Sequence, residues 1–144
     1  MAVNVTVGLC LKNADETVKT AFDSISRQDY PHEELKLVIV DEEDTNKIPS
    51  HISTFIRQID IKTDLFLVQN KGLGAARQIV VDNAEGNYIV WVDDDFILKY
   101  DFISEQVKFM DKNPTVGAAR ARELVNRTTL LTTLDAYLRI LSSS

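Results

Sequence analysis

Three consecutive carboxylates, Asp93, Asp94 and Asp95, directly follow an uncharged apolar run at residues 88–92. If they continue a β-strand, Asp93 and Asp95 point to the same side, roughly 6.5 Å apart at their Cα atoms, while Asp94 points away. Two unit charges at that separation repel by about 2.5 kcal/mol at an effective dielectric constant near 20, but by only about 0.6 kcal/mol in bulk water. The triplet is therefore either a solvated loop or a site where Mg²⁺ or Mn²⁺ offsets the repulsion. Its delivery by an apolar strand favours the metal site, with Asp93 and Asp95 as ligands.

A second candidate site lies at Gly72 and Gly74, which precede a helix-like stretch containing Arg77. Glycine lets the backbone approach a ligand, and the free amides and dipole of a helix N-terminus favour an anion. A Gly-x-Gly sequence before a helix is also often only a tight turn. Arg77 likewise either contacts the same anion or serves as a structural salt-bridge residue.

The elements that must position these residues alternate along the chain. Short apolar runs alternate with stretches of helical periodicity, which is typical of β-α-β units around a mostly parallel sheet. The predicted strands are residues 3–10, 35–41, 64–68, 88–92 and 116–121. The predicted crossover helices are residues 15–27, 50–59, 74–83 and 101–111, with Asn13 or Asp15 capping the first. The fold class is therefore α/β.

Polar residues cluster where the predicted strands end. In an open parallel sheet the ligand crevice lies beyond the carboxyl ends of the strands. The clusters at those ends are Lys12 with Asn13, residues 41–44, residues 70–72 and the aspartate triplet. We therefore expect the site along this edge.

Composition limits the classes of function. With 144 residues, 44% of them hydrophobic, we expect one domain over residues 1–144. The net charge of −6 gives no electrostatic footprint for nucleic acid. No window is apolar enough for a transmembrane helix, and the single Cys10 cannot form an internal disulfide, so we expect a cytoplasmic protein, free or peripheral at a membrane. His32 and His51 lack zinc-binding spacing.

Several segments resemble glycosyltransferase family 2 in the same order along the chain. Residues 86–95, GNYIVWVDDD, resemble the family segment GEYIxFLDxDD, which contains its DxD motif. The other segments are residues 5–13, similar to VSVIIPTYN, residues 26–31, similar to xxQTYP, residues 37–42, similar to EIIVVDD, residues 70–78, similar to NxGxxxARN, and residues 113–118, similar to NPxVGAV. Shared order and spacing make this resemblance far more specific than a single DxD.

The resemblance implies the A-type glycosyltransferase fold, a Rossmann-like, mostly parallel sheet flanked by helices, here in a truncated or minimal form. It also implies a nucleoside-diphosphate sugar donor, a UDP- or GDP-sugar, held through Mn²⁺ or Mg²⁺. By position in the motif, Asp93 lies near the donor ribose, Asp95 binds the metal, Asp94 is the variable middle residue, and Asp41 hydrogen-bonds the nucleobase. The remaining donor-binding candidates are Cys10, Leu11, Lys12, Asn13, Gly72 and Arg77.

The sequence departs from the family pattern at the nucleobase. Cys10, Leu11 and Lys12 stand where the family has proline, threonine and tyrosine, so aromatic stacking on the base is lost. Lys12 either meets the charge of the diphosphate or is an exposed lysine at a strand end. The base preference therefore stays open.

The catalytic general base is not identifiable in this sequence. In inverting members of the family it lies well downstream of DxD, and nothing after Asp95 matches its motif. Asp101, Glu105 and Asp111 are explained as a helix cap and a solvated helix face.

The end of the chain, residues 128–141, is predicted as an apolar helix. Its leucine stripe is expected to pack on the sheet and in part to form an interface with a missing half, a partner or a second copy.

The predicted function is a glycosyltransferase, or its donor-binding portion, that transfers a sugar to an unidentified acceptor with inversion. The alternative is a catalytically silent nucleotide-sugar-binding module, or a subunit whose partner supplies the general base and the acceptor site. A nucleotidyltransferase is disfavoured because residues 8–12 contain no Gly-rich phosphate loop.

Overall fold

A computed structural model describes residues 2–12, 18–42, 47–69 and 71–121. The elements are β1 (Val5–Leu11), α1 (Val18–Ser26), a short 3-10 helix (His32–Glu34), β2 (Leu35–Asp41), α2 (Ser50–Gln58), β3 (Lys62–Leu67), α3 (Leu73–Asp82), β4 (Tyr88–Asp93) and α4 (Phe102–Lys112). The strands form one four-stranded sheet in the order β3-β2-β1-β4, and all paired strands are parallel. The predicted α/β class with a parallel sheet is confirmed.

The strand order places the ligand crevice. From β1 the chain winds outward to β2 and β3 on one side, and then crosses to β4 on the other side of β1. The crevice of an open parallel sheet lies where the winding reverses, outside the carboxyl ends of the two strands concerned. Cys10 and Asp93 are paired at that point, at the ends of β1 and β4. The topology therefore delivers the aspartate triplet to the crevice.

The two faces of the sheet carry separate cores because strand side chains alternate between faces. The larger core joins alternate residues of the strands to α1, α2 and α4, and includes Leu9, Phe22 and Ile103. On the opposite face α3 packs Ala76 and Val80 against β2. The sheet is thus covered on both sides, which explains the nearly continuous apolar runs of β1 and β2.

A close backbone contact at the amino end of β4 sets its register on β1. The carbonyl oxygen of Asn4 accepts hydrogen bonds from the amides of Asn87, at 2.8 Å, and Tyr88, at 3.2 Å. Gly86 has a φ of +88°, and a Cβ there would lie 2.4 Å from the carbonyl carbon and oxygen of Asn4. Only glycine allows both this φ and this approach. The contact places Tyr88 opposite Val5, and the same register brings Asp93 opposite Cys10.

A buried lysine strengthens the same edge of the sheet. The Lys36 ammonium lies 2.8 Å from carboxylate oxygens of both Asp64 and Glu85, and donates to the carbonyl of Asn83 at 2.9 Å. Burial lowers the pKa of Lys36, but its hydrogen bonds to Asp64 and Glu85 outweigh that effect and the pKa is raised. Hydrogen bonds from Lys36, and then from Lys62, lower the pKa of Glu85 to about 2. These charges tie β2, β3 and the segment before β4 together.

Most predicted elements match those observed, with one clear exception. Helices α2, α3 and α4 begin and end within one residue of the predicted ranges, whereas β3 begins two residues before its predicted start at residue 64. The predicted strand at residues 116–121 is wrong, because the structure shows no strand there. Gly117, Ala118 and Ala119 are exposed and poorly suited to strands, so the segment has little apolar surface to hold it on a sheet.

Some predictions fall outside the described residues. They include the caps at Asn13 and Asp15 and the helix at residues 128–141. The chain divides into two compact units, Met1–Asn113 and Pro114–Ser144, and every element above lies in the first. None of the helices in the described ranges is both long and apolar enough to cross a bilayer.

Candidate functional site

The aspartate triplet lies at the end of β4, in a turn. β4 ends at Asp93, and the amide of Phe96 donates to the carbonyl of Asp93 at 3.0 Å, which closes a turn over Asp94 and Asp95. The expected strand geometry is therefore wrong beyond Asp93. Aspartate favours turns because its short side chain competes for nearby backbone amides. Asp93 and Asp95 are nevertheless both exposed, whereas Asp94 is half-buried.

The chemistry of the triplet fits a divalent cation shared with a ligand. Among the described residues no group of three His, Cys, Asp or Glu side chains could hold a metal alone. Mg²⁺ commonly takes only one or two protein carboxylates and completes its shell with water and substrate phosphate. Two exposed carboxylates at a crevice suit such a metal, so Asp93 and Asp95 stay predicted ligands.

The thiol of Cys10 reports which charges surround the crevice. Burial raises its pKa, the Arg77 guanidinium opposes this, and the carboxylates of Glu42 and Asp93 raise it further. The net effect is a raised pKa. Charges from the residue after β2, from α3 and from the end of β4 thus all shift the pKa of this thiol near the end of β1. The structure brings Cys10, Arg77 and Asp93 of the predicted site together.

Glu42 is a buried carboxylate within the polar cluster at residues 41–44 that was expected at this edge, but the sequence predicted no role for it. Its amide donates to the carbonyl of Leu11 at 3.0 Å, and its Oε2 accepts from the amide of Gly72 at 3.2 Å. Gly72 precedes α3 with a φ of +85°. An amide at the start of α3, where an external anion was expected, is therefore engaged by an anion of the chain itself. The adjacent acidic residues after β2 were the only signal in the sequence.

Asp41 and Leu11 lie on the other face of the sheet from Cys10. Asp41 pairs with Leu11 in the sheet and is only 1% exposed. Its neighbour Val40 packs toward α3, so alternation places Asp41 on the face of α1 and α2. Lys12 follows β1 and is exposed, and Asn13 lies outside the described residues. The predicted donor-binding residues are thus distributed over both sides of the carboxyl edge.

Arg77 contacts an aromatic ring. Its Cζ lies 5.5 Å from the centroid of the Trp91 ring, within the range of a cation–π interaction. In the ranges that the structure describes, Arg77 makes no salt bridge. The Arg77 side chain is exposed to solvent. Its charge is therefore available to a ligand at this edge.

Gln28 positions the segment that follows the triplet. This side chain, 5% exposed, donates to the carbonyls of Ser24 at 3.0 Å and Lys99 at 2.8 Å. Its Oε1 accepts from the amide of Ile103 at 2.9 Å. Gln28 therefore caps α4, whereas Asp101, at the predicted cap position, makes no capping hydrogen bond with its side chain. A long-range clasp of this kind has no signature in local periodicity.

The acids that follow the triplet have local partners. Asp101 lies 3.0 Å from the ammonium of Lys99, which lowers the pKa of its carboxyl. Glu105 pairs with Lys108 at 2.8 Å. Asp111 accepts a hydrogen bond from the hydroxyl of Tyr88 at 2.5 Å. The contacts of Glu105 and Asp111 agree with the solvated helix face predicted for them, whereas Asp101 occupies the predicted cap position without a capping hydrogen bond from its side chain.

Two cavities lie away from this edge. One, of about 470 Å³, lies at the amino edge of the sheet beside His32 and Lys62. The other, of about 440 Å³, lies between α1 and α2 beside Phe22 and His51. Neither is lined by residues of the carboxyl edge. The carboxyl edge, and neither cavity, carries the aspartate triplet at the point where the winding of the sheet reverses.

Comparison with known proteins gives a family match along most of the chain. The model of the family described as Glycosyl transferase family 2 matches residues 6–139. Poly(ribitol-phosphate) beta-N-acetylglucosaminyltransferase TarS of Staphylococcus aureus is 22% identical over 101 residues, which cover 70% of this chain and 18% of TarS. An uncharacterised glycosyltransferase of Rickettsia conorii is 34% identical over 95 residues, 66% of this chain and 15% of that protein. The chain thus spans less than a fifth of the length of these relatives.

Solved structures show the same fold. The crystal structure of S. aureus TarS matches with a TM-score of 0.67 and 18% identity, over 86% of this chain and 23% of TarS. TarS 1–349 in complex with UDP-GlcNAc also gives a TM-score of 0.67, over 87% of this chain and 39% of that one. The match confirms the predicted A-type glycosyltransferase fold.

Proposed function

The chain belongs to glycosyl transferase family 2, and on that premise we propose that it binds a nucleoside-diphosphate sugar at its carboxyl edge for sugar transfer. The observation that carries the proposal is the position of the triplet. Asp93 lies where the winding of the sheet reverses, and both Asp93 and Asp95 are exposed there. Ligands of open parallel sheets bind at this point.

The donor would lie across the end of β1. Asp41 and Leu11 on one face of the sheet are proposed to meet the nucleobase, with Lys12 and Asn13 beyond them. Asp93, Asp94 and Asp95 are proposed to meet the ribose and the metal-bound diphosphate on the other side. The exposure of these side chains supports this division, because Asp41 is buried whereas Asp93 and Arg77 are exposed on the α3 side. Cys10, between them, is proposed to line the site together with Gly72.

A divalent cation is proposed to be held by Asp95 and Asp93. Mn²⁺ or Mg²⁺ would supply Lewis-acid stabilisation of the charge that develops on the leaving diphosphate. The protein residues bind and orient the donor, which lowers the entropic cost of reaction. Arg77 adds a positive charge on the same side. This assignment needs no third protein ligand.

We propose a UDP-sugar ahead of a GDP-sugar as the donor. TarS, whose fold this chain shares, has been crystallised with UDP and with UDP-GlcNAc. Lys12 stands where the family has an aromatic residue, so we propose that the base is held by hydrogen bonds, with Asp41 as the partner that the resemblance implies. The proposed transfer is inverting, with the general base and the acceptor site supplied outside the described residues. We also propose a cytoplasmic location, with the unpaired Cys10 as its support.

Calorimetric titration tests the donor site directly. UDP and GDP would be titrated into the chain with and without Mn²⁺, and then into Asp95→Asn. We expect binding of UDP that requires Mn²⁺ and is lost in Asp95→Asn. Asp82→Asn, the same change at an exposed residue of α3 that bonds Gln78, is the matched control and should bind like the unchanged chain. Binding that ignores both the metal and Asp95 would contradict the proposed site.

Turnover separates the enzyme from a silent binding module. The local pairing of Asp101, Glu105 and Asp111 is the observation that favours the module, since none of these acids is placed as a base. The assay is release of UDP from UDP-GlcNAc with Mn²⁺, with and without added sugar or polyol acceptors. Tight metal-dependent binding with no release of UDP would support the module.

A further inference from the structure

Trp91 occupies space that exists only because residue 8 is glycine. Gly8 of β1 pairs with Trp91 of β4 in the sheet. A Cβ at Gly8 would lie 3.0 Å from two carbons of the Trp91 ring and 2.7 Å from Cγ1 of Val80 on α3. The indole therefore lies over Gly8 of β1, on the face of the sheet that α3 covers.

This placement puts the indole beside Arg77. Arg77 and Val80 are three residues apart on α3 and so face the same side of that helix. The Arg77 guanidinium lies over the ring at 5.5 Å from its centroid, while Trp91 itself is 39% exposed. A flat aromatic face restricts where a planar guanidinium can lie and leaves N–H donors for an anion.

The guanidinium of Arg77 lies near the end of β1. Its charge lowers the pKa of the Cys10 thiol, whereas the charge of Asp93, at the end of the neighbouring strand β4, raises it. An arginine on an exposed helix surface has many rotamers, and fixing one costs entropy at each binding event. A contact that restricts those rotamers beforehand reduces this cost.

We infer that Trp91, seated over Gly8, is a positioning residue that holds the guanidinium of Arg77 at the carboxyl edge to receive the diphosphate of the donor. The part concerning the donor rests on the proposed function. The part concerning position does not, because the Gly8, Trp91 and Arg77 contacts exist in the chain without a ligand.

The single cysteine provides a test of position that needs no donor. Iodoacetamide reacts with the thiolate, and Cys10 is the only cysteine, so the pH midpoint of its alkylation reports the charge nearby. The midpoint would be measured for the unchanged chain, Trp91→Leu, Arg77→Gln and the double variant. We expect an upward shift in each single variant, and no further shift when Trp91→Leu is added to Arg77→Gln. Val90→Ala, in the same strand but on the opposite face, should leave the midpoint unchanged.

The same variants test the role toward the donor. Trp91→Leu should weaken Mn²⁺-dependent UDP binding by about two- to five-fold, the effect of one cation–π contact at an exposed site. It should have no effect in the Arg77→Gln background. Trp91→Phe keeps an aromatic face and should bind UDP nearly like the unchanged chain, which guards against a folding defect in Trp91→Leu.

The outcomes distinguish the two proposals. Equal, additive effects of Trp91→Leu with and without Arg77, in both assays, would overturn the positioning role while the donor site stands. Coupling seen in the alkylation of Cys10, together with no UDP binding by the unchanged chain, would confirm the position of Arg77 and refute the proposed donor site.

Discussion

Alanine substitutions at three glycines test whether the contact between Gly86 and Asn4 sets the position of β4. Gly74 lies in α3 with open space around it, so alanine should stabilise the chain by about 0.4–1 kcal/mol. Gly72 also has open space, but its φ of +85° and ψ of 157° lie in a region that essentially only glycine adopts, so alanine there should cost about 1–3 kcal/mol. Gly86 combines a φ of +88° with a Cβ 2.4 Å from the Asn4 backbone, so a further overpacking cost of about 1–3 kcal/mol is expected.

Equilibrium unfolding in urea measures the series. With an m-value near 2 kcal/mol/M, a loss of about 3 kcal/mol for Gly86→Ala lowers the midpoint by about 1.5 M, a shift that is readily resolved. Gly72→Ala separates the cost of the backbone conformation from the cost of the clash. Equal midpoints for Gly86→Ala and Gly72→Ala would refute the reasoning, because the approach of Gly86 to Asn4 would then carry no cost. The register that brings Asp93 opposite Cys10 would need another explanation.

Three further predictions concern the rest of the fold. Two lysines lower the pKa of Glu85 from 4.5 to about 2, so its contribution to stability is present above pH 4.5 and is lost as the pH falls toward about 2. Glu85→Gln should therefore flatten the pH dependence of the urea midpoint in that range. Gln28→Ala leaves buried backbone groups of Lys99 and Ile103 unpaired and should lower the free energy of unfolding by about 1–3 kcal/mol for each such group. The control Gln58→Ala, at the exposed end of α2, should change it very little. Equal urea midpoints for the two variants would count against the role of Gln28. Phe22→Ala removes a buried ring stacked on Phe55 with centroids 4.0 Å apart and should cost about 3–5 kcal/mol, whereas a much smaller loss of thermal stability would show that the larger core closes around the gap.

The fold could be predicted because burial on both faces leaves a strong pattern. Strands β1 and β2 read as apolar runs since α1, α2 and α4 cover one face and α3 the other. β3 was predicted to start too late because it is an edge strand, where exposed Lys62 and half-buried Thr63 hide its beginning. Residues 116–121 were predicted as a strand although Val116 is their only β-branched residue, and the small exposed residues that follow give no packing to support one.

The site could be predicted only in part. Asp93, Arg77 and Cys10 could be named as candidates because each follows or accompanies an apolar element, and the structure brings them to one edge; their role in binding stays a prediction. The turn after Asp93 was missed because alternation cannot show where pairing stops. The hydrogen bonds of Glu42 and Gln28 were missed because they join residues far apart in sequence, which no local pattern records.

The Gln28 clasp also has a consequence for the order in which the molecule can be assembled. Its bonds to Lys99 and Ile103 span 71 and 75 residues of sequence. During synthesis from the amino end, α1 emerges from the ribosome long before its clasp partners do. The side-chain amide of Gln28 therefore stays hydrated until Lys99 and the start of α4 have emerged. The loop that follows the aspartate triplet is therefore among the last parts of the first unit to reach its final position, and nascent chains halted before residue 103 should lack an ordered loop after the triplet.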